Sequence, residues 1–478
     1  MSSPLERFTK VVGSKLHDLG HSSPNTSILR ALINTAYLAT LRTEEGRFVR
    51  GSLTFADPRN PEPNPPLLRR ANYPAFTPFS HPIQLTVERL VKLSRAVDSW
   101  CGSIAVYGLS SSAILAWGVL DQLVQHNVRL QREGLKGFSP PGVLTVVMEG
   151  VGALSAYHDN LFLGGVRQDQ IVTREQDALG SAVVADRLHS VLKPIAVKLS
   201  RALGDSITSE VAERRIFEEW SGTVARICIG LRRAGTGGAL LISPKPIEVL
   251  LDTAQHLPYS RLGHAAVLRV LDIQYRSLTR EALLNYARKN VAPIDLIREE
   301  HLADADAADR EDELAGSVRI VTSLASVDGL VLLTPLLEVI AFGAKVRSGP
   351  HVNRVYVGHD FVRRGVSAKH VDISRFGTRH TSILRYCRAD RRAIGIVVSQ
   401  DGQVRLITSM GKSLTLWDNV QLLERRNDLR GYARMIQRAR TRSGKLPLER
   451  SLGYTEMPKT LKALLQSKPS IKKIQGGQ

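Results

Sequence analysis

"FGTRHTSILRYCRADRRAIGIVVSQDGQVRLIT", residues 376–408, is the stretch on which the fold turns. It holds two apolar runs, "AIGIVVS" (393–399) and "QVRLIT" (403–408), each the length of a buried strand. Asp401-Gly402 between them is a strong hairpin signal. Ahead of them "TSILRYCRA" (381–389) reads as a short helix, entered through Gly377-Thr378-Arg379-His380. A helix followed by two paired apolar strands predicts a mixed α/β layer structure.

Working outward, "VDGLVLLT" (327–334), "LEVIAFGAKV" (337–346) and "RVYVG" (354–358) are further strand candidates. Residues 181–233 read as mostly helical, with Leu188, Val191, Leu192 and Ile195 on one face. "GTGGALLIS" (235–243) is a glycine turn into a buried strand. A phosphate-cradling loop follows a strand and opens a helix, whereas these glycines precede the strand, so they read as a helix-to-strand connection. Residues 262–315 are helical again, and their acidic run "EEHLADADAADREDELA" (299–315) reads as a solvated helix face.

The first half differs. "TSILRALINTAYLATLR" has helical periodicity, capped by Thr26 or Ser27, and residues 83–97 read as a second helix. "FVRGSLTFAD" (48–57), "SIAVYGL" (103–109), "AILAWGVLD" (113–121) and two or three runs within 140–166 are β-like. The Pro-dense "PRNPEPNPP" (58–66) must be a loop. The predicted organisation is a loosely structured segment 1–27, a β-rich α+β unit over 28–180, a mixed sheet flanked by helices over 181–415, and a basic extension over 416–478.

Charge and cysteine content narrow the function classes. Cys101, Cys228 and Cys387 are widely spaced and form neither a disulfide framework nor a zinc pattern, which fits a reducing cytoplasm. The start "MSSPLERFTKVVG" has no signal-like apolar core, and the longest apolar stretch, 329–344, is broken by Pro335 and Glu338, so no membrane role is expected. Net charge is +20 over 478 residues. From residue 421 onward 14 Lys and Arg stand against four acids, so half the excess sits in the last 58 residues. Such a tail attracts polyanions or solubilises the chain. Arg434, Arg438 and Arg442 recur every four residues, as on one basic helix face for nucleic acid, but Tyr432 and Tyr454 are too few aromatics for a stacking platform. His359-Asp360 and Ser110–Ser112 read as turns rather than as acid–base or nucleophile sites.

Three stations in the second half carry candidate chemistry. The first is Asp328-Gly329 at a strand start, the second Gly377-Thr378-Arg379-His380, the third Ser399-Gln400-Asp401-Gly402. Carboxylates at strand edges, Asp328 and Asp401, suit Mg²⁺ or Mn²⁺ held against phosphates, and Gly329 would let a ligand approach the backbone. A helix N-terminus with Gly377 and Thr378 offers N–H groups, Arg379 a phosphate fork, and His380 a donor. Taken singly, each station is also an ordinary turn or cap.

The three in this order resemble the diadenylate cyclase family, whose nucleotide site is built from Asp-Gly-Ala and Gly-Thr-Arg-His-Arg motifs and a following acidic turn. "SVDGLVLL", "FGTRHTSI" and "IVVSQDGQVRL" match over roughly residues 215–412. From residue 28 onward, "AYLATLRTEEGRFVRG", "AWGVLDQ", "PPGVLTVVMEG" and "RRAGTGGALLISP" are similar to a branch of that superfamily described as a sensor domain, DACNV. The resemblance implies a diadenylate-cyclase-like nucleotide-binding domain over 181–415. It places Asp328 near metal and nucleotide, the backbone of Gly329 and Leu330 beside the base, and Gly377, Thr378, Arg379, His380 and Thr381 around the phosphates. Asp328, Arg379 and His380 would then be the catalytic set.

The departures bear on activity. Leu330 stands in place of Ala, Thr381 in place of the second Arg, Val327 where many cyclases have His, and Gln400-Asp401 for the acidic pair. Losing one phosphate-clamping Arg removes a contact of ~1.5–3 kcal/mol. Arg385, one turn further on, is placed either to substitute or to face solvent. The leading expectation is therefore a cytoplasmic sensor that binds ATP, another purine nucleotide or a cyclic dinucleotide. The alternatives are an active cyclase that joins two ATP across a symmetric homodimer, and a polyanion-binding protein acting through residues 421–478.

Overall fold

In a computed structural model the structure describes residues 3–19, 24–60, 75–97, 102–108, 113–121, 143–158, 161–167, 170–173, 177–204, 206–252, 255–287, 294–347, 349–358, 370–400, 402–411, 413–420 and 422. The architecture is α/β, two sheets each layered with helices. No helix of the described residues is long and apolar enough to cross a membrane.

Eight strands form the first sheet: β3 (Gly51–Phe55), β4 (Ala75–Gln84), β5 (Gly102–Gly108), β6 (Ile114–Asp121), β7 (Leu144–Gly150), β8 (Ala153–His158), β9 (Leu161–Arg167) and β10 (Gln170–Val172), in the order β10-β9-β8-β7-β3-β5-β6-β4. A two-residue pair, β1 (Thr43–Glu44) and β2 (Arg47–Phe48), precedes it. Along β7 burial alternates, so Leu144, Val146 and Met148 face one side. On that side lie helices α1 (Pro4–Asp18), α2 (Thr26–Thr40) and α3 (Val87–Leu93), which contribute Phe8, Val12, Leu16, Leu29, Leu32 and Leu90 to one core.

The opening segment is thus not loosely structured. Ser3 and Glu6 form a reciprocal capping box, Pro4 takes the first helical position, and Phe8, Val12 and Leu16 repeat every four residues on the buried face. Strand β4 was not expected either, because Pro78 and Pro82 interrupt it. It lies at the sheet rim, where a missing amide donor is tolerated.

In the second sheet β11 (Gly238–Ile242) is central. It pairs in parallel with β14 (Leu330–Leu333) and antiparallel with β17 (Ile394–Val398). β15 (Val339–Val346) continues the β14 side, with β12 (Leu251–Asp252) and β13 (Gln255–Tyr259) against it. β18 (Val404–Met410), β19 (Ser413–Trp417) and the short β16 (Tyr356–Val357) continue the other side. The Asp401-Gly402 signal is a hairpin: Val398 pairs with Val404, and Gly402 has φ 84°. β11 is apolar throughout because both faces are covered. Leu240 and Ile242 meet α4 (Ala182–Ala202), α5 (Ser209–Ala234), α6 (Arg261–Ala287) and α7 (Ile294–Ala325), whereas Ala239 and Leu241 meet α8 (Thr378–Ala389).

Val172 ends β10 of the first sheet, and Ala178 and Leu179 belong to the second core, so the two units part between them. Trp417, Val420 and Leu422 carry the second core beyond the expected boundary at 415. The basic extension from residue 423, with Ser110–Ser112, His359-Asp360 and Cys101, lies outside the described residues. Cys228 and Cys387 are buried free thiols.

The acidic run of α7 is only partly a solvated face. Asp306, Asp309 and Asp312 are exposed, but Glu311 pairs with Arg226 at 3.0 Å and with Arg269, Glu300 with Arg280 at 3.0 Å, and Glu313 with Arg310 and Arg261. Apart from Glu313–Arg310, which lies within α7, these pairs fasten α7 to α5 and α6.

Two stability predictions follow from the packing. A Cβ at Gly395 would lie 2.0 Å from Cγ2 of Ile383, so Gly395→Ala lifts α8 from β17 and costs ~1–3 kcal/mol in urea unfolding. Glu149, 11% exposed, pairs with Arg167. Burial pushes its carboxyl up, but the guanidinium groups of Arg167 and Arg232 outweigh burial and hold it below the ordinary 4.5. A carboxyl depressed in the folded state adds stability that is complete above its unfolded value and is lost as pH falls through its folded value. Glu149→Gln should therefore cost ~3–5 kcal/mol at pH 7 and flatten the acid limb below pH ~4 in unfolding curves.

Candidate functional site

The pairing of β11 brings the three stations to one end of the sheet. Gly238, opening β11, lies opposite Val398, the last residue of β17, and Leu240 opposite Val331 puts Gly329 at the same level. β14 and β17 flank β11, so their ends are about 10 Å apart at ~4.8 Å per strand.

Between them sits the "GTGG" turn. Helix α5 ends on Gly235 in the left-handed region, φ 67°, and Gly237 follows at φ 65°. It is the helix-to-strand connection that the sequence indicates, but it is also the floor of the site. Arg379 donates from Nη1 to the carbonyl of Thr236 at 3.4 Å, and the Thr236 hydroxyl lies 3.2 Å from that of Ser326. A Cβ on Gly237 would meet the Val398 carbonyl at 2.8 Å and the Gln400 amide at 3.2 Å. Thr236 and Gly237 were passed over in the sequence because their glycines precede a strand. The signal was their place between two stations that flank one strand.

Helix α8 starts at this floor. Its N-cap is Gly377, with no side chain accepting from the first turn, whereas Ser3, Asn25, Thr86, Ser181 and Thr208 cap their helices through side-chain oxygens. Gly377 and Thr378 are exposed, and among the described residues nothing lies within 4 Å of a Cβ built on Gly377. The Thr381 hydroxyl donates back to the Gly377 carbonyl at 3.2 Å. Arg385 is exposed, beside Gly349.

His380 is placed differently from its neighbours. It is buried, stacked on Phe376 with centroids 4.9 Å apart. Its Nε2 lies 3.0 Å from Nη1 of Arg405, a contact in which the guanidinium donates and the imidazole accepts. Arg405, 13% exposed, also bonds Gln403, pairs through Nε with Asp418 at 2.9 Å and lies over the Phe376 ring. Nε2 is therefore committed to Arg405 rather than to the open space over Gly377. Arg405 follows His380 by 25 residues, and no local pattern announces the pair.

Asp328 is 81% exposed and faces Lys345 on β15 at 3.8 Å. It thus stands on the far side of β14 from Arg379. Gly329, φ 112°, is required by packing rather than by a ligand: a Cβ there would meet backbone atoms of Gly343 and Ala344 at 2.5–2.8 Å. Leu330 is buried in the core on the α8 face. Asp401 lies outside the described residues. Its neighbour Gly402 gives its carbonyl to Arg232 Nε at 2.9 Å. Among the described residues no group of three or more His, Cys, Asp or Glu is placed to hold a metal ion alone.

Among the described residues Gly377 and Thr378, at the head of this arrangement, are exposed. The arrangement offers, among the described residues, first-turn amides with no side-chain cap, a half-buried guanidinium on a long hydrogen bond, and a carboxylate at the neighbouring strand start. Its chemistry suits an anion with several oxygens.

No curated protein and no solved structure matches the chain. Residues 20–121, from just ahead of α2 through β6, match the family model described as "Probable sensor domain DACNV". That match lies in the first unit and fits a regulatory sensor role.

Proposed function

We propose that the end of the second sheet binds the phosphates of a purine nucleotide, ATP or a cyclic dinucleotide, and that the protein is a nucleotide-responsive sensor. One observation carries the reading. The uncapped N-terminus of α8, Arg379, the Thr236–Gly237 floor and the Asp328 strand start all meet at one sheet end through the register of β11. Four elements distant in sequence converge there, and they present N–H groups, the Arg379 cation and, on the far side of β14, the Asp328 carboxylate. Arg379 leaves its 3.4 Å bond to a neutral carbonyl at little cost for a charge-assisted bond to phosphate.

A divalent cation fits in a limited way. Asp328 would supply one carboxylate oxygen and the nucleotide phosphates the rest, the usual manner in which Mg²⁺ is held. Binding without turnover is favoured over cyclisation. Thr381 bonds its own helix where a second phosphate-clamping Arg would stand, and the Nε2 of His380 is engaged by Arg405.

The test is calorimetry of the full chain with ATP and with cyclic di-AMP, each with Mg²⁺, followed by mass detection of products. Binding is expected, weakened roughly ten- to a hundredfold by Arg379→Ala, the loss of one charge-assisted contact of ~1.5–3 kcal/mol. Absence of binding by either nucleotide overturns the reading. Cyclic di-AMP made from ATP by the wild type and not by Arg379→Ala/His380→Ala would establish the cyclase instead.

A further inference from the structure

Among the described residues, the side chain of Arg50 reaches from the first sheet to the floor of this site. Arg50, just ahead of β3, donates from Nη1 to the carbonyls of Arg232 and Arg233 at 3.2 and 3.0 Å. Those are carbonyls of the last turn of α5, where the helical ladder runs out; the Arg232 carbonyl also accepts the Gly235 amide at 3.3 Å. The guanidinium lies so close to the helix end that a Cβ on Gly235 would stand 3.3 Å from Nη2. Arg50 thus adds a cationic donor from the other unit to the helix end that Gly235 caps.

The capped segment touches the site on two sides. Arg232 holds the carbonyl of Gly402 in the β17–β18 turn at 2.9 Å. Four residues on, the carbonyl of Thr236 receives Arg379. Behind Arg50, the pairing of Gly51 with Met148 puts the start of β3 beside the Glu149 end of β7. Burial and the nearby charge of Arg232 both make the Arg50 cation harder to keep, and Glu149 offsets them. Arg50 and Arg232 thus both lie in the field of Glu149, whose direct partner is Arg167.

We propose that Arg50 is a positioning residue that links nucleotide occupancy to the first unit: a phosphate that draws Arg379 off Thr236 changes how the α5 cap is held, and a change in the first sheet alters the floor presented to the phosphate. The inference rests on the nucleotide reading above. Such linkage is reciprocal, so each direction can be read from the other.

The experiment uses the full chain with ATP and Mg²⁺ as the probe. Hydrogen exchange is followed with and without ATP, and the ATP Kd is measured by calorimetry for the wild type, Arg50→Ala, Arg50→Lys and Arg379→Ala. ATP should slow exchange in peptides covering 47–55 and 144–150, which lie in the first sheet and contain no residue of the site. Arg50→Ala should abolish that slowing and raise the Kd about fivefold or more, the lower end of inter-site coupling. Arg50→Lys, which keeps one cationic donor, should recover part of both. If Arg50→Ala does not fold, the wild-type exchange pattern decides alone. ATP binding that is lost in Arg379→Ala but unchanged in Arg50→Ala, or binding without slowing at 47–55 and 144–150, overturns the linkage and leaves the nucleotide reading standing. No ATP binding by the wild type overturns both.

Discussion

Everything at the candidate site depends on the pairing of one five-residue strand. β11 has five apolar or glycine positions, no charge and both faces covered, so a slip of one residue would turn Leu240 and Ile242 toward α8 and Leu241 toward the helical layer. Its register against β14 and β17 is therefore held by two cores at once. That register sets Gly238, Gly329 and Val398 level, and it decides which loops become neighbours. The helices act through it: α5 delivers the chain to β11, and α8 is laid on β17 by the fit of Ile383 over Gly395.

The fold was legible where a local rule decides. The apolar runs of β11, β14 and β17, the hairpin at residue 402 and the helical spans of α4 to α7 follow from periodicity and turn chemistry. Helix α1 was equally readable, since its capping box and i, i+4 apolar repeat are both present, but a short polar opening hides them. β4 was not, because a rule against proline holds for central strands and the sequence does not say which strand is at the rim.

The site was legible in part. The amino-acid types that suit phosphate stand out at 377–380, and the structure sets them at an uncapped helix start. What the sequence could not give is competition among neighbours. His380 and Arg379 are adjacent in the chain, yet Arg379 rests on an exposed turn and His380 is buried against Phe376 and Arg405. Likewise Gly329 reads as room for a ligand, and the space is filled by the backbone of β15. Each outcome depends on a strand or side chain brought in from another part of the chain.

The rim of the first sheet has a consequence of its own. A strand at the edge of a sheet presents unpaired amides and carbonyls on which a second chain can build. β4 carries Pro78 and Pro82, and its pairing with β6 slips between Pro78 and Ile83. A proline has no amide hydrogen to give, and a slipped register spoils the even spacing that an incoming strand would need. At the opposite rim β10 is only three residues long. Both margins are thus poor templates for an incoming strand, which matters for a unit built around an eight-stranded sheet.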